Sequence, residues 1–223
     1  MSRRLAAGLR PSLIAVVALA GCAGDLPSVG ACPDGMILVP AGAFRYGEKR
    51  TSGQATREEI AAFCIDRFEF PNQEGARPAT AVTWLDAAAK CREAGKRLCT
   101  EYEWEKACRG HGGQAFSWGA SFAAGACGTP RADGPVSGAD AACASPYGVR
   151  DMSGSVWEWT ANAWNGDDAT RVARGGWDES VGEDSARCSY RRSLAASHAS
   201  ADVGFRCCAA VTVARLTGLD PGP

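Results

Sequence analysis

Apolar and polar residues alternate along only a few stretches of this chain, and those stretches are short. Met36-Ile37-Leu38-Val39 stops at Pro40 and Gly42 and predicts a strand, and Phe63 to Phe70, alternating in part and stopping at Pro71-Asn72, predicts a second. The polar stretch from Glu48 to Glu59 between them reads as loop. Two segments switch to the helical period. Thr83 with Asp86 three residues on is a capping-box pattern; Trp84, Ala87, Ala88 and Cys91 recur on one face, and Gly95 supplies the stop. Thr100 with Glu103 opens a second helix in the same way, burying Trp104, Ala107 and Cys108 and ending at Arg109-Gly110. Beyond Gly110 the periodicity fades, and 27 glycines break the chain into short pieces. This pattern predicts an α+β fold with low regular secondary structure, built on long ordered loops that need covalent or ionic clips.

The amino terminus follows a different pattern. Arg3, Arg4 and Arg10 precede the apolar run Leu13 to Ala20, which is too short to cross a bilayer as a helix and reads as a secretory signal over residues 1–21. Leu19-Ala20-Gly21-Cys22 looks like a bacterial lipobox, which implies cleavage before Cys22 and lipidation of that residue, and two or more acyl chains make attachment stable. Residues 22–31 then form a lipidated tether, 32–212 a single domain and 213–223 a frayed tail. The expected location is the bacterial cell envelope, lipid-anchored and facing the periplasm or the surface. Ala23, standing where an inner-membrane retention signal carries aspartate, favours the outer membrane.

Cysteine usage fits that compartment. Setting Cys22 aside from the 11 cysteines leaves an even ten, and disulfides are their default fate outside the cytoplasm. Spacing alone does not choose the pairing, but the neighbours Cys207 and Cys208 would face opposite sides of a strand and so need different partners. No C-x-x-C is present, and neither His111 nor His198 has a metal-ligand neighbour at short spacing. Of the 24 basic and 25 acidic residues the signal holds only three arginines, which leaves the mature side chains at −4. With no basic stripe interleaved with aromatics, the composition points away from nucleic acid.

The chemistry-bearing motifs come in a specific order. Met36 to Phe44, Phe63-Cys64-Ile65-Asp66 with Glu69, Val82 to Ala87 and Gly95 to Trp104 are followed by Phe116-Ser117-Trp118-Gly119. Then come Gly148 to Trp159, with two tryptophans around Glu158, Arg174-Gly175-Gly176 and Gly204-Phe205-Arg206. This series resembles the formylglycine-generating enzyme, or sulfatase-modifying factor, family from about Met36 to Ala210. The resemblance implies a C-type lectin-like architecture. It also implies, for oxidase members, two cysteines four residues apart shortly after the Arg-Gly-Gly motif, soft ligands that hold copper and use oxygen to turn a substrate cysteine into formylglycine. Those positions fall on Ser180 and on Ser185 or Glu183, and Trp177 replaces the serine that usually follows the two glycines. Copper is therefore not expected, unless Cys188 joins Cys207 or Cys208 as a displaced thiol site.

By the same resemblance Asp151, Gly154, Val156 and Glu158 are the candidate calcium ligands, since a hard cation wants several oxygens from a tight loop. In the competing reading Asp151 caps a turn and Glu158 pairs with an arginine. Arg187, Arg191, Arg206 and Trp177 are candidates for a ligand rim, and structural ion pairs account for such arginines equally well. Two functions follow. The first is a lipid-anchored binding or docking module for an envelope protein or glycan, without oxidase activity and with no catalytic residue assigned. The second is an oxygen- and metal-dependent oxidase of protein cysteine. Free thiols separate the two.

Overall fold

The computed structural model describes residues 30–53, 55–127 and 134–213. The signal, Cys22 and the residues beyond 213 lie outside the described residues. The chain enters through β1 (Gly30–Ala31), β2 (Met36–Val39), β3 (Gly42–Tyr46), the short helix α1 (Lys49–Ser52), β4 (Thr56–Ile60) and β5 (Phe63–Asp66). Helix α2 (Trp84–Glu93), β6 (Arg97–Leu98) and α3 (Glu101–Arg109) follow. Next among the described elements come β7 (Trp157–Trp164), β8 (Asp167–Arg174), a 3-10 turn at Gly182–Ala186, and β9 (Arg192–Ala195), β10 (Val203–Phe205), β11 (Cys207–Ala210) and β12 (Thr212–Val213). No helix among the described residues is long and apolar enough to cross a membrane.

Both capping boxes form as their spacing demands. The Thr83 side chain accepts from the Asp86 amide while Asp86 accepts from Thr83, and Thr100 and Glu103 do the same at α3, which satisfies two orphan donors at each helix start. The second strand is shorter than its alternation suggested. It ends at Asp66, whose buried carboxylate accepts from Lys96 Nζ at 2.6 Å and from the Cys207 amide at 3.1 Å, and the chain then turns so that Glu69 points inward. The stretch from Glu48 to Glu59 is not simply loop, because it contains α1 and β4. Strand β4, Thr-Arg-Glu-Glu-Ile, is polar on both faces and carries no period-2 signal, so only its pairing with β3 holds it extended.

Two four-stranded sheets make the frame, in the orders β2-β5-β11-β6 and β10-β7-β8-β9. The hairpin β7–β8 is the longest regular element, with eight residues in each strand. Trp164 pairs with Asp167 across Asn165-Gly166, both of positive φ (49° and 83°), the two-residue turn whose twist suits a hairpin. Strand β1 pairs with β12, so Gly30 and Ala31 of the expected tether join the folded part. One core cluster gathers Phe63, Ile65, Trp104, Val149 and Met152; the other gathers Trp157, Trp159, Val203 and Phe205 under α2. Trp104, Trp157 and Trp159 are fully buried, each removing roughly 5 kcal/mol worth of apolar surface from water before entropy is counted.

Five disulfides clip these parts: Cys32–Cys64, Cys91–Cys207, Cys99–Cys208, Cys108–Cys188 and Cys127–Cys143. Cys207 and Cys208 take different partners because β11 sends them to opposite faces, one to α2 and one to the Cys99 side.

Candidate functional site

Helix α3 projects Glu101, Glu105 and Arg109 from one side at four-residue spacing, and β8 ends by aiming Arg174 at them. Arg174 donates to Glu105 Oε2 at 2.8 Å, to Glu101 Oε2 at 2.9 Å and to the Cys188 carbonyl at 2.9 Å. Arg191 donates to Glu101 at 2.8 Å. Arg109 reaches Glu105 at 3.2 Å and Glu48 at 3.0 Å, and Arg187 reaches Glu48 at 3.1 Å and Asp184 at 3.0 Å. Burial pushes the Glu105 carboxyl up, with Arg174 and Arg109 opposing it; burial alone would lower Arg174, and Glu105 and Glu101 outweigh that and raise it. Arg187 and Arg191 are therefore tied into a structural ion network, each with its charge already met.

The loop before β7 builds a second buried cluster. Arg206 forks onto Glu158, Nε to Oε2 and Nη2 to Oε1 at 2.6 Å each, and Trp104 Nε1 donates to the same carboxylate at 2.8 Å. All three residues are fully buried, so Arg206 lies in the interior and forms no part of a ligand rim. Asp151, at φ 59°, accepts from the Gly138 amide at 2.6 Å, and Glu69 accepts from Ser137 Oγ at 2.9 Å and Ser155 Oγ at 2.8 Å. Burial pushes Glu69 up to about 7, with Arg206 pulling it down and Asp151 and Glu158 adding to the rise.

Glu158 is neutralised by a guanidinium that a cation would have to sit beside, and one Asp151 oxygen is held by a backbone amide. No group of three or more His, Cys, Asp or Glu among the described residues is placed to hold a metal. Glu158 pairs with Arg206, as the competing reading of that carboxylate has it.

The thiol expectation is corrected. Cys188 is bonded to Cys108, Cys207 to Cys91 and Cys208 to Cys99, and a disulfide sulfur is no thiolate ligand. Where the resemblance placed copper ligands, the loop after β8 is a hydrogen-bonded turn. Ser180 Oγ donates to Asp178 Oδ1 at 2.6 Å, and buried Ser185 Oγ donates to the Gly182 carbonyl at 2.7 Å while accepting from the Asp178 amide at 3.0 Å. Exposed Glu183 approaches Arg50 at 3.5 Å.

Over this turn lies an aromatic shelf. Phe116 stacks on Trp118 at 5.1 Å, and Phe122 stacks on Trp177 at 5.9 Å and touches Trp118 at 6.2 Å. Phe116 is buried and anchors the row from below, with the Arg187 guanidinium 5.1 Å from its ring centroid, while Trp118, Phe122 and Trp177 stay half-buried. Of the expected rim only Trp177 sits on such a surface. Phe122 belongs to the shelf as well, and no period or motif marked it. Two further features add little chemistry. A hollow of about 280 Å³ is lined by Pro135, Val136, Asp140, Asp151 and Asp202. Ser200 Oγ meets His198 Nε2 at 2.8 Å and donates to Asp202, so the acid holds the serine and leaves the imidazole unoriented for base catalysis.

Residues 70–211 match the model of the sulfatase-modifying factor enzyme 1-like domain. The chain belongs to the sulfatase-modifying factor family. Among curated members, the inactive C-alpha-formylglycine-generating enzyme 2 of Bos taurus is 36% identical over 148 residues, 58% of this chain and 49% of the relative. The formylglycine-generating enzyme of Thermomonospora curvata is 36% identical over 111 residues, 40% and 35% of the two chains. The hercynine oxygenase of Mycolicibacterium smegmatis is 42% identical over 102 residues, 42% and 23%. The chain thus spans half or less of the length of these relatives. PvdO from Pseudomonas aeruginosa superposes with a TM-score of 0.65 at 20% identity, covering 84% of this chain and all of that one. CarF gives 0.59 at 17%, covering 81% and 99%. At such identities these likenesses carry the fold alone, the mixed α+β, lectin-like architecture with few helices. The two glycines of Arg174-Gly175-Gly176 pack against buried tryptophans. A Cβ on Gly176 would lie 2.4 Å from the Trp157 ring, and one on Gly175 2.6 Å from Trp104.

Proposed function

We propose that this chain is a non-oxidising member of the sulfatase-modifying factor family. In this reading it is anchored to the bacterial cell envelope through Cys22 and binds a protein or glycan ligand over the shelf of Trp118, Phe122 and Trp177. The observation that carries the reading is the state of the cysteines: every cysteine of the domain is a disulfide partner, and Ser180 with Ser185 or Glu183 stands at the expected ligand positions after β8. A copper oxidase of this type needs thiolates, which this domain does not supply. A relative whose name calls it inactive supports the same reading. Flat aromatic faces left half-exposed above a clipped turn suit a sugar ring or an aromatic side chain, because they bury large area at low entropic cost.

The test is copper loading of the oxidised domain under chelator competition, followed by incubation with a cysteine-containing peptide under oxygen. The expected result is no retained copper and an unmodified peptide. One copper per chain with conversion of the cysteine would replace the binding module by an oxidase. Anchoring is tested separately by palmitate labelling of the wild type and of Cys22→Ser, with label expected only in the wild type.

A further inference from the structure

A larger hollow, of about 730 Å³, opens between the β3–β4 hairpin and the glycine turn that follows α3. Its walls carry Arg45, Lys49, Arg57, Arg109 and His111 and no acidic side chain. The hairpin register sets Arg45 directly opposite Arg57, and both are exposed. Such residues lie on one face with Cβ atoms about 5 Å apart, and like charges so placed destabilise the pair. A hairpin selected for stability alone would put an acid at one of the two positions.

Neither acid of β4 makes an ion pair with these arginines among the described residues. Glu58, opposite Phe44, accepts from Thr56 Oγ1 at 2.7 Å, and Glu59, opposite Ala43, acts on Lys106. Among the described residues Arg45, Lys49 and Arg57 make no ion pair and no side-chain hydrogen bond. The buried wall is Arg109, only 3% exposed; its terminal nitrogens go to Glu105 and Glu48, while Nε is buried without a partner. The space beside Gly112 and Gly113 is open, since a Cβ on either would meet nothing within 4 Å.

We infer that this hollow is an oxoanion site that takes a small ligand bearing a phosphate or sulfate ester. Guanidinium forks match the edges of a tetrahedral oxoanion bidentately, and Lys49 adds a point charge with no planar demand. The bound anion relieves the Arg45–Arg57 repulsion, so the hairpin gains most when the site is filled. This site is independent of the aromatic shelf and of whether any oxidase activity exists.

Calorimetric titration of the folded, oxidised chain with inorganic pyrophosphate, and separately with a sulfated disaccharide, tests it against Arg45→Gln/Arg57→Gln. Saturable binding of at least one probe is expected in the wild type, with affinity at least tenfold weaker in the double variant. The unliganded variant should melt no lower than the wild type, because a repulsive pair has been removed. Should the double variant fold poorly, Arg57→Glu turns the repulsive pair into a cross-strand ion pair and should lose binding while keeping its melting temperature. Preference for pyrophosphate assigns a phosphate ligand and preference for the disaccharide a sulfate ester. No saturable binding of either probe, or equal affinity in wild type and variants, overturns the site.

Discussion

Replacing Glu69 by glutamine probes the most crowded charge cluster in the molecule. Glu69, Asp151 and Glu158 gather around a single buried guanidinium, Arg206, so full ionisation would leave an excess of negative charge out of reach of water. Burial is the leading cause that lifts Glu69 from 4.5 to about 7, and it raises Asp151 as well. A carboxyl whose folded pKa is raised holds its proton more tightly folded than unfolded. Stability is therefore greatest below the unfolded pKa and falls as pH rises from about 4.5 to about 7. A shift of that size corresponds to about 3 kcal/mol for Glu69. Glu69→Gln keeps the shape and can still meet Ser137 and Ser155, whose hydroxyls rotate, but it cannot ionise. Urea unfolding with disulfides intact, at about pH 5 and pH 8, should show the wild type losing stability with pH and the variant losing much less. The variant should be the more stable of the two at pH 8 and close to the wild type at pH 5. Parallel pH profiles, or a wild type that gains stability across this window, would mean that Glu69 is ionised in the fold and that Arg206 compensates the whole cluster.

Arg206→Met strips Glu158 of its buried partner and should cost about 3–5 kcal/mol in urea unfolding, with Glu158→Gln added to it recovering much of the loss. Gly176→Ala drives a methyl into the Trp157 ring and should lower stability by about 1–3 kcal/mol, read as a melting-temperature shift and altered near-ultraviolet dichroism. Replacing Cys91 and Cys207 by serine opens a closure of 116 residues, and replacing Cys127 and Cys143 one of 16. Chain entropy sets the losses at about 5 and about 3 kcal/mol, an ordering that paired unfolding curves check. Trp177→Ala should leave the melting temperature within about 1 °C of the wild type while reducing capture of the shelf ligand, as for a half-buried side chain outside the core.

Elements with local chemical signals were legible in the chain. Thr83 with Asp86 and Thr100 with Glu103 mark helix starts because the cap is a contact between residues three apart, and Asn165-Gly166 marks the β7–β8 turn by its need for positive φ. Strand β7 alternates apolar and polar residues from Trp157 to Ala163 beside that turn, although its first four residues are buried on both faces. Strand β4 was illegible, since polar residues on both faces leave only pairing with β3 to define it. The site divided along the same line. Loss of the copper positions could be read from Ser180 and from Ser185 or Glu183, whereas the partners of Cys188, Cys207 and Cys208 lie 80 or more residues away and are set by tertiary packing. Arg206 looked like a rim residue because its partner, Glu158, is 48 positions distant.

The state of the thiols bears most directly on the central claim. Alkylation of the mature domain with and without denaturant, followed by mass spectrometry, should find no modified cysteine between Cys32 and Cys208 until reductant is added. Two accessible thiols at Cys188 and Cys207 or Cys208, in protein that carries copper, would contradict the account and restore the oxidase.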